Sequence, residues 1–534
     1  MSVALAEAPP AEATVAPSHF GVGNTAQRSA ATPLSDAAGM GRLWSDTLLV
    51  GVSTAVCHML GAAVSLLLRI ALEPASMGIW QGLKVLLGYA NYTNLGVSKA
   101  AAREFTIGLG RGDALPGERS LNLAFTVNTL SSGLYAALLV AAAVWRIWPA
   151  MAAGTPASAW LADGWTLGLL VVAALAMLQR HVTFQITLLR CRQDFRSATR
   201  LSLQEALLTL LVAGGGAWLA GLPGLFGGTV VVLLASLWFL RRRQPVTFRW
   251  DWHTREIGRL IAFGGPLLAA SVAASLFASL DKLMILGYLP DGAAQLGCYS
   301  VALMVVAQLA GFGNMLTVAS GPRFGYTFGR TGSRRETARL ATRICEMQAA
   351  VLALLAGLLL VVAPPVLAWL LPEYRSGLPA LNWLVPGTVF ASLALPASQY
   401  AAAVEGGRRV LTALVLAIAA AAAGVHLALV SDAGITGVAI ATAAANGLYL
   451  ALLVGATIWR ELTGRERARF AFALCLTLLP TIGVACALPL VVDLAASWRS
   501  VAAQAAAVSL VWCLTMLLGW RCGCWGCARR DASE

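Results

Sequence analysis

The chain has 534 residues, of which 58% are hydrophobic and only 12% are charged. This composition excludes a single soluble globular core, because most of such a chain must be surrounded by lipid or by other helices. The net charge of +13 would suit nucleic acid, but the cations form no basic and aromatic module, so we expect no nucleic-acid partner. The composition therefore predicts an all-α, polytopic membrane protein.

The first element in chain order is a tail, residues 1–42, which is rich in Ala, Pro, Ser and Thr and lacks the apolar core of a signal peptide. We expect this tail to be a disordered cytosolic segment. Fourteen hydrophobic segments follow, at 47–70, 77–97, 120–145, 165–189, 201–220, 224–240, 257–289, 296–318, 346–371, 378–403, 410–430, 433–458, 471–491 and 498–520. Segments of this length and apolarity are typical of membrane-spanning helices.

Positively charged residues alternate between the gaps that separate these segments. With residues near a segment end counted with the adjoining gap, 31 of the 38 Lys and Arg residues belong to alternate gaps, five belong to the intervening gaps, and two lie deep inside segments. Because cytosolic loops carry the excess of Lys and Arg, this distribution predicts fourteen passes with both termini in the cytosol. We expect the location to be the bacterial plasma (inner) membrane.

Two features of the first half of the chain recur in the second half. The glycine-aromatic helix start at Gly78 recurs at Gly297, an offset of 219 residues, and the glycine-rich turn at Gly224 recurs at Gly434, an offset of 210. Parallel repeats imply a pseudo-twofold axis along the membrane normal, with a substrate path between the halves. We predict two six-helix halves, two extra C-terminal helices and a cytosolic tail, at residues 43–242, 243–460, 461–520 and 521–534.

The ten cysteines do not follow a disulfide or metal-binding pattern. Cys522, Cys524 and Cys527 have chelate-like spacing, but they lack a nearby fourth ligand, and a frayed cytosolic tail is the simpler interpretation. We expect no metal site, no cofactor and no catalytic residue.

Six short motifs resemble, in order and spacing, the recurring segments of polysaccharide-export flippases: Leu72–Trp80, Asn94–Phe105, Leu189–Phe195, Asp281–Tyr288, Leu296–Ser300 and Glu405–Arg408. These flippases belong to the multidrug/oligosaccharidyl-lipid/polysaccharide exporter superfamily, which includes O-antigen-type (Wzx-like) flippases and the peptidoglycan precursor flippase. The resemblance extends over residues 44–520. It implies a cavity that is lined chiefly by the first, second, seventh and eighth segments.

Each of these four segments carries polar residues at intervals of three or four, which is the spacing of one helical face. The uncharged and acidic candidates for the cavity are His58, Gln81, Asn91, Tyr92, Asp281, Gln308 and Asn314. Helix packing through small polar residues is an alternative explanation for these faces. For His58, a hydrogen-bonded neutral imidazole is as good an interpretation as a proton-coupling site.

Four candidate substrate-binding cations lie along the same path: Arg69, Lys84, Arg180 and Lys282. Arg180 lies roughly 15 Å inside its segment, where a lipid-facing Arg costs about 2.5–3.5 kcal/mol, so it should face water, a counter-ion or an anionic substrate. Lys84 and Lys282 lie about 10 Å deep, so snorkelling to the interface is an alternative. Lys282 can also simply pair with Asp281.

A basic cavity suits a diphosphate that carries sugars and a lipid tail. We predict a flippase that moves a polyprenyl-diphosphate-linked oligosaccharide from the cytosolic to the outer leaflet for surface polysaccharide (exopolysaccharide or O-antigen type) assembly. Because the sequence has no phosphate-binding loop, we expect alternating access without ATP. We expect Gly264-Gly265-Pro266 to break the seventh segment and act as a flexing point, with a packing kink that does not move as the alternative. The expected partners are the lipid-linked substrate and membrane lipids, with a glycan polymerase and export machinery as further candidates.

Three other classes of protein stay open. A multidrug or cation exporter of the same superfamily should carry buried acids, whereas the deep charges here are mainly basic. A membrane glycan polymerase should present a large external loop, whereas the longest external gap here is the short segment 146–164. A channel or scaffold would use the polar faces only for packing.

Overall fold

The computed structural model describes residues 36–111, 115–156, 163–192, 194–243, 249–404, 408–491 and 498–521, which are almost entirely helical and contain no strand. Val52–Glu534 forms one compact unit, and of the other unit, Met1–Gly51, only the helix from Asp36 is described. The helices in these ranges are α1 (Asp36–Ala71), α2 (Pro74–Tyr89), α3 (Val97–Arg111), α4 (Leu115–Ala152), α5 (Gly164–Cys191), α6 (Phe195–Leu208), α7 (Gly214–Arg243), α8 (Thr254–Tyr288), α9 (Gly292–Thr331), α10 (Arg334–Leu370), α11 (Leu378–Val404), α12 (Arg408–Val430), α13 (Gly434–Ala456), α14 (Ile458–Glu461), α15 (Gly464–Val491) and α16 (Trp498–Arg521). The predicted all-α, polytopic membrane fold is confirmed.

Twelve helical stretches in the described ranges are long and apolar enough to cross a membrane. One of them, Phe195–Arg242, folds back on itself at Gly221, where the backbone φ of 61° leaves the helical region. Its two arms touch, because a Cβ added to Gly224 would lie 2.6 Å from the carbonyl carbon of Gly216. With this hairpin counted as two segments and the 16-residue α2 added, the described helices supply fourteen segments, while the predicted fourteen passes stay a prediction.

The predicted counterpart of that hairpin lies between α12 and α13. Asp432 and Gly434 have positive φ values of 53° and 57°, which reverse the chain within three residues. The two helices then run side by side, and a Cβ added to Gly424 would lie 3.2 Å from Ala441 Cβ. Glycine supplies a left-handed backbone at little cost at both hairpins, which is why the two glycine-rich turns resemble each other in sequence.

The predicted second segment, 77–97, is wrong as a continuous helix. The structure ends α2 at Tyr89, follows it with a single 3₁₀ turn, Ala90–Tyr92, and starts α3 at Val97. Leu95 and Gly96 have positive φ values of 52° and 81°, which an α-helix cannot accommodate. The interruption brings the backbone of Gly96 against that of Gly264 in α8, so a tertiary contact overrides the local apolar pattern.

Two other expectations are corrected by the helix boundaries. The backbone of α8 is helical from Thr254 to Tyr288, so Gly264-Gly265-Pro266 does not interrupt it. The predicted disordered tail 1–42 overlaps α1, which begins at Asp36, and the rest of that tail lies outside the described residues. The cysteine-containing end of the predicted tail 521–534 and Glu405 also lie outside them.

The first and second halves contact each other reciprocally at the repeated glycines. A Cβ added to Gly78 would lie 2.5 Å from the carbonyl carbon of Ala293, and one added to Gly297 would lie 2.6 Å from that of Pro74. Ala293 and Gly297 are the residues 219 positions after Pro74 and Gly78. Gly78 therefore meets the equivalent of Pro74, and Pro74 meets the equivalent of Gly78. A twofold axis produces such reciprocal pairs of contacts.

Another glycine contact occurs once within each half. Gly164, at the start of α5, packs against Ile79, because a Cβ added to Gly164 would lie 3.2 Å from Ile79 Cδ1. Gly377 packs against Cys298, which occupies the position 219 residues after Ile79. These contacts agree with two halves of parallel topology, while the boundaries 43–242, 243–460 and 461–520 stay a prediction.

Close backbone approach holds these helices together. Helices in a membrane gain little from burying apolar surface against one another, since lipid is equally apolar, and small residues allow tight packing instead. The largest buried side chains, such as Tyr299, Tyr374 and Leu83, fill the core beside the glycine contacts. Large apolar side chains on the outside, such as Trp145 and Leu134 in α4, are exposed in the manner of a lipid-facing surface.

Candidate polar and cationic site between the halves

The polar faces of α1, α2, α8 and α9 meet between the two halves. The His58 ring in α1 packs against Gly311 in α9, where an added Cβ would lie 2.9 Å from His58 Cε1. In α2, the Tyr89 hydroxyl lies 2.6 Å from Ser279 Oγ in α8. Contacts therefore join α1 to α9 and α2 to α8. These are the four helices that the resemblance implied, and each pair contains one helix from each half.

Three of the four predicted cations form a cluster, which we call the cation cluster: Arg69, Lys84 and Lys282. Lys84 lies close enough to both other cations for their charges to interact with its own. Lys84 is exposed, although it lies in a densely packed part of the protein. Its ammonium group makes no hydrogen bond or ion pair with the described residues. An unpaired cation in such a position favours an anionic ligand.

Lys282 is paired with its sequence neighbour. Lys282 Nζ lies 3.1 Å from Asp281 Oδ1, and the two side chains are 19% and 6% exposed. The other carboxylate oxygen accepts a hydrogen bond of 3.0 Å from the hydroxyl of Tyr299, which is fully buried. Asp281 is therefore fixed as the counter-ion of Lys282, and the cation cluster together with Asp281 carries a net charge of +2.

Arg69 is 3% exposed, and its hydrogen-bond acceptors among the described residues are all uncharged oxygen atoms. Its Nη1 donates hydrogen bonds of 2.6 Å to the carbonyl and hydroxyl oxygens of Ser65, one turn earlier in α1. Its Nη2 donates a bond of 2.7 Å to the backbone oxygen of Ser300 in α9. The Nε is buried without a partner. Arg69 therefore bridges the two halves and keeps its charge uncompensated.

Arg180 lies in a different set of contacts. It is 6% exposed, and its Nε donates a hydrogen bond of 3.0 Å to Asn128 Oδ1, which its Nη2 also contacts. Its Nη1 donates to the backbone oxygen of Asn91 at 3.2 Å. Arg180 therefore ties the interruption after α2 to α4 and α5, and the structure does not bring it together with the cation cluster.

We expect Arg180→Ala to lower the thermal stability of the protein. The substitution leaves the buried side-chain oxygen of Asn128 and the partly buried backbone oxygen of Asn91 without this donor, and an unsatisfied buried group costs about 1–3 kcal/mol. Thermal unfolding of the purified protein in detergent measures the effect. Asn128→Ala should be about equally destabilising, and the double variant should be much less than additive, because both substitutions break the same bonds. Unfolding of Arg180→Ala at the wild-type temperature would contradict this role.

The other predicted residues differ in burial and in hydrogen bonding, and their place in a common site stays a prediction. Gln81, Tyr92 and Gln308 are half-buried and Asn314 is exposed, and their side chains make no hydrogen bond with the part of the chain that the structure describes. Asn91 is half-buried and accepts from Arg180. Within the described ranges, no group of three His, Cys, Asp or Glu residues is arranged to hold a metal ion.

Backbone contacts close the region at one end. The contact of Pro74 and Gly78 with Ala293 and Gly297, which we call the Gly78 closure, joins the starts of α2 and α9. The Tyr374 hydroxyl crosses the halves beside it and donates a hydrogen bond of 2.5 Å to the backbone oxygen of Leu72.

A second backbone contact lies at the other end. A Cβ added to Gly96 would lie 2.5 Å from the carbonyl carbon of Gly264, and we call this contact the Gly96 closure. Lys99 Nζ donates a hydrogen bond of 3.0 Å to Ser271 Oγ nearby. Since Lys84 lies between Gly78 and Gly96 in the chain, the cation cluster lies between the two closures.

Two residues of this region were not among the predicted candidates. Ser300 contributes its backbone oxygen, which accepts the hydrogen bond from Arg69. The one sequence signal for this contact is the position of Ser300 in the repeated motif, three residues after Gly297. Tyr374 follows α10 in a short 3₁₀ segment, Pro372–Gly377, and nothing in its local sequence indicated a partner about 300 residues away.

Comparisons with known proteins agree with this architecture. Residues 116–324 match the family model described as polysaccharide biosynthesis protein. The structure described as lipid II flippase MurJ in an inward closed conformation is 11% identical, with a TM-score of 0.66, and the match covers 89% of this chain and 99% of that one. No curated protein sequence matches the chain.

Two transporters of the MOP superfamily share the fold as well. An inward-facing multidrug resistance MATE family transporter is 16% identical with a TM-score of 0.58, and the match covers 79% of this chain and 98% of that one. A MOP superfamily transporter from Pyrococcus furiosus, described as having a binding pocket of reverse polarity, is 15% identical with a TM-score of 0.52, and the match covers 80% of this chain and 94% of that one. The predicted resemblance is confirmed by the family model and by the shared fold.

Proposed function

We propose that this multi-pass membrane protein is a flippase that moves a polyprenyl-diphosphate-linked oligosaccharide from the cytosolic to the outer leaflet for surface polysaccharide assembly. The observation that carries the proposal is the unpaired Lys84 within the cation cluster, between two closures. A diphosphate offers several charged oxygens to ammonium and guanidinium donors, and such charge-assisted bonds are about twice as strong as neutral ones. The net charge of +2 at the site would compensate much of the negative charge of the diphosphate, which loses its water shell when it enters the site.

The closures supply a means of alternating access. The excess of Lys and Arg in alternate gaps assigns the Gly96 closure to the cytosolic side and the Gly78 closure to the outer side. Opening the Gly96 closure would admit the headgroup, and opening the Gly78 closure would release it while the lipid tail stays in the bilayer. Since the sequence holds no phosphate-binding loop, the movement proceeds without ATP. Halves at residues 43–242 and 243–460 would rock against each other, with 461–520 as an added pair.

The chemistry of this transport step also indicates the membrane in which the protein acts and the partners that it needs. A substrate made on the cytosolic side and consumed outside requires the plasma (inner) membrane, with both termini in the cytosol. A glycan polymerase and export machinery are the partners that would consume the product. No catalytic residue or cofactor is needed, because translocation forms and breaks no covalent bond.

A cationic drug is a poorer substrate for this site. Among the described residues near the cation cluster, the buried acid is Asp281, which is already bound to Lys282 and Tyr299. The uncompensated charges of Arg69 and Lys84 would repel a cation. The shared fold with a MATE family transporter therefore does not favour drug export.

Reconstitution tests the proposed function directly. Proteoliposomes would carry a fluorescent polyprenyl-diphosphate oligosaccharide in both leaflets, and a lectin added outside would report the accessible share. We expect the protein to make nearly all of the labelled glycan accessible over time. If only the share that starts in the outer leaflet becomes accessible, as in protein-free liposomes, the protein is not a flippase for this class of substrate.

A further inference from the structure

Arg69 occupies the place where the cation cluster meets the Gly78 closure. Its Nη2 donates a hydrogen bond of 2.7 Å to Ser300 O, and Ser300 Oγ donates one of 2.6 Å to Gly297 O within the closure. Three residues after Arg69, Leu72 accepts the bond from Tyr374. Arg69 is thus within one helical turn of the polar contacts that hold the two halves together at this end.

The same guanidinium also belongs to the cation cluster. Arg69 lies near enough to Lys84 for their like charges to interact, and its Nε is buried without a partner. Its present acceptors are two carbonyl oxygens and a hydroxyl, none of which carries a charge. A phosphate oxygen is a stronger acceptor than these, and the planar fork of Arg fits two such oxygens at once.

We infer that Arg69 couples occupation of the site to opening of the Gly78 closure. An anionic headgroup at Lys84 draws the guanidinium away from Ser300 O, which removes one of the polar bonds between the halves on that side. The closure is therefore weaker when the site is filled than when it is empty. A ligand shifts a conformational equilibrium only through such a difference in interaction between the two states.

This inference rests on the proposed function, because it requires an anion at the cation cluster. It adds that the outer side opens in response to the headgroup, so an empty flippase keeps that side shut. Arg69 is then a positioning residue for the gate as well as a ligand for the substrate.

Hydrogen exchange of the full-length protein in detergent, with and without inorganic pyrophosphate, tests the coupling. We expect pyrophosphate to speed exchange in residues 289–300 by roughly tenfold, which is the effect of losing one hydrogen bond between the halves. Thermal stabilisation by pyrophosphate, measured on the same sample, reports binding separately. Binding without faster exchange would overturn the coupling and leave the proposed function standing. Absence of binding would overturn both.

Two variants separate a gate from a merely structural contact. Arg69→Met removes the bond to Ser300 O, so exchange in residues 289–300 should be fast already without pyrophosphate and should not respond to it. Arg146→Gln is the charge-matched control, because Arg146 forms an exposed ion pair with Asp163 and is not among the charges that act on Lys84, and it should respond like the wild type. A wild-type response of folded Arg69→Met would overturn the inference. If that variant does not fold, the wild-type measurement alone decides.

Discussion

Gly78→Ala is expected to prevent the Gly78 closure from forming and to slow translocation strongly. An added Cβ would lie 2.5 Å from the carbonyl carbon of Ala293 and closer still to its oxygen, and these backbone atoms cannot turn away as a side chain can. Overpacking of this kind typically costs 1–3 kcal/mol, which shifts the balance between closed and open forms by roughly tenfold or more. Gly297→Ala should have the same effect, because it meets Pro74 in the reciprocal contact.

The rate of glycan translocation in proteoliposomes measures this effect. Gly88→Ala is the matched control, because Gly88 lies in the same helix and an added Cβ there meets nothing within 4 Å. Gly264→Ala, which obstructs the Gly96 closure, should also slow translocation but should expose the site from the opposite side. Wild-type translocation by a folded Gly78→Ala variant would show that the closure does not take part in transport.

Lys84→Gln is expected to remove most of the affinity for the headgroup while leaving the fold intact. The Lys84 ammonium makes no bond with the described residues, so its removal breaks no internal contact. A hydrogen bond to a charged group is worth about 1.5–3 kcal/mol, so binding of pyrophosphate should weaken about tenfold to a hundredfold. Loss of one charge also lowers the net charge of the site from +2 to +1.

Calorimetric titration with pyrophosphate measures the change in affinity. Lys84→Arg should retain much of the binding, since it keeps a cationic donor at the same place. Arg146→Gln removes one positive charge from an exposed ion pair with Asp163 and controls for the net charge of the protein. Equal affinities of the wild type and Lys84→Gln would exclude Lys84 as a ligand.

Much of the fold follows from local sequence. The apolar segments predicted an all-α, polytopic fold, and positive φ values at Gly221 and Gly434 explain why two hairpins share a glycine pattern. The repeat between Gly78 and Gly297 pointed to a contact that the structure contains. The end of α2 at Tyr89 was not predicted, because it depends on the approach of Gly96 to Gly264, and hydrophobic periodicity carries no information about such distant partners.

The same limit explains the candidate site. Arg69, Lys84 and Lys282 were placed on the facing sides of α1, α2 and α8, and they do lie together. Arg180 was grouped with them on its depth in the membrane. Depth follows from the rise per residue, but it does not tell where a side chain lies across the bundle. The acceptors Asn128 and Asn91 hold Arg180 elsewhere, and only the assembled helices reveal them.

Photocrosslinking tests most directly whether the space between the halves receives an anionic lipid headgroup. The probe is farnesyl diphosphate with a photoreactive group beside its diphosphate, and the crosslinked residues are identified by mass spectrometry. We expect crosslinks on the facing sides of α1, α2, α8 and α9, lost with excess pyrophosphate and weakened in Lys84→Gln. Crosslinks confined to the outward apolar face, such as Trp145 and Trp148 of α4, and unaffected by pyrophosphate would contradict a headgroup site at the cation cluster.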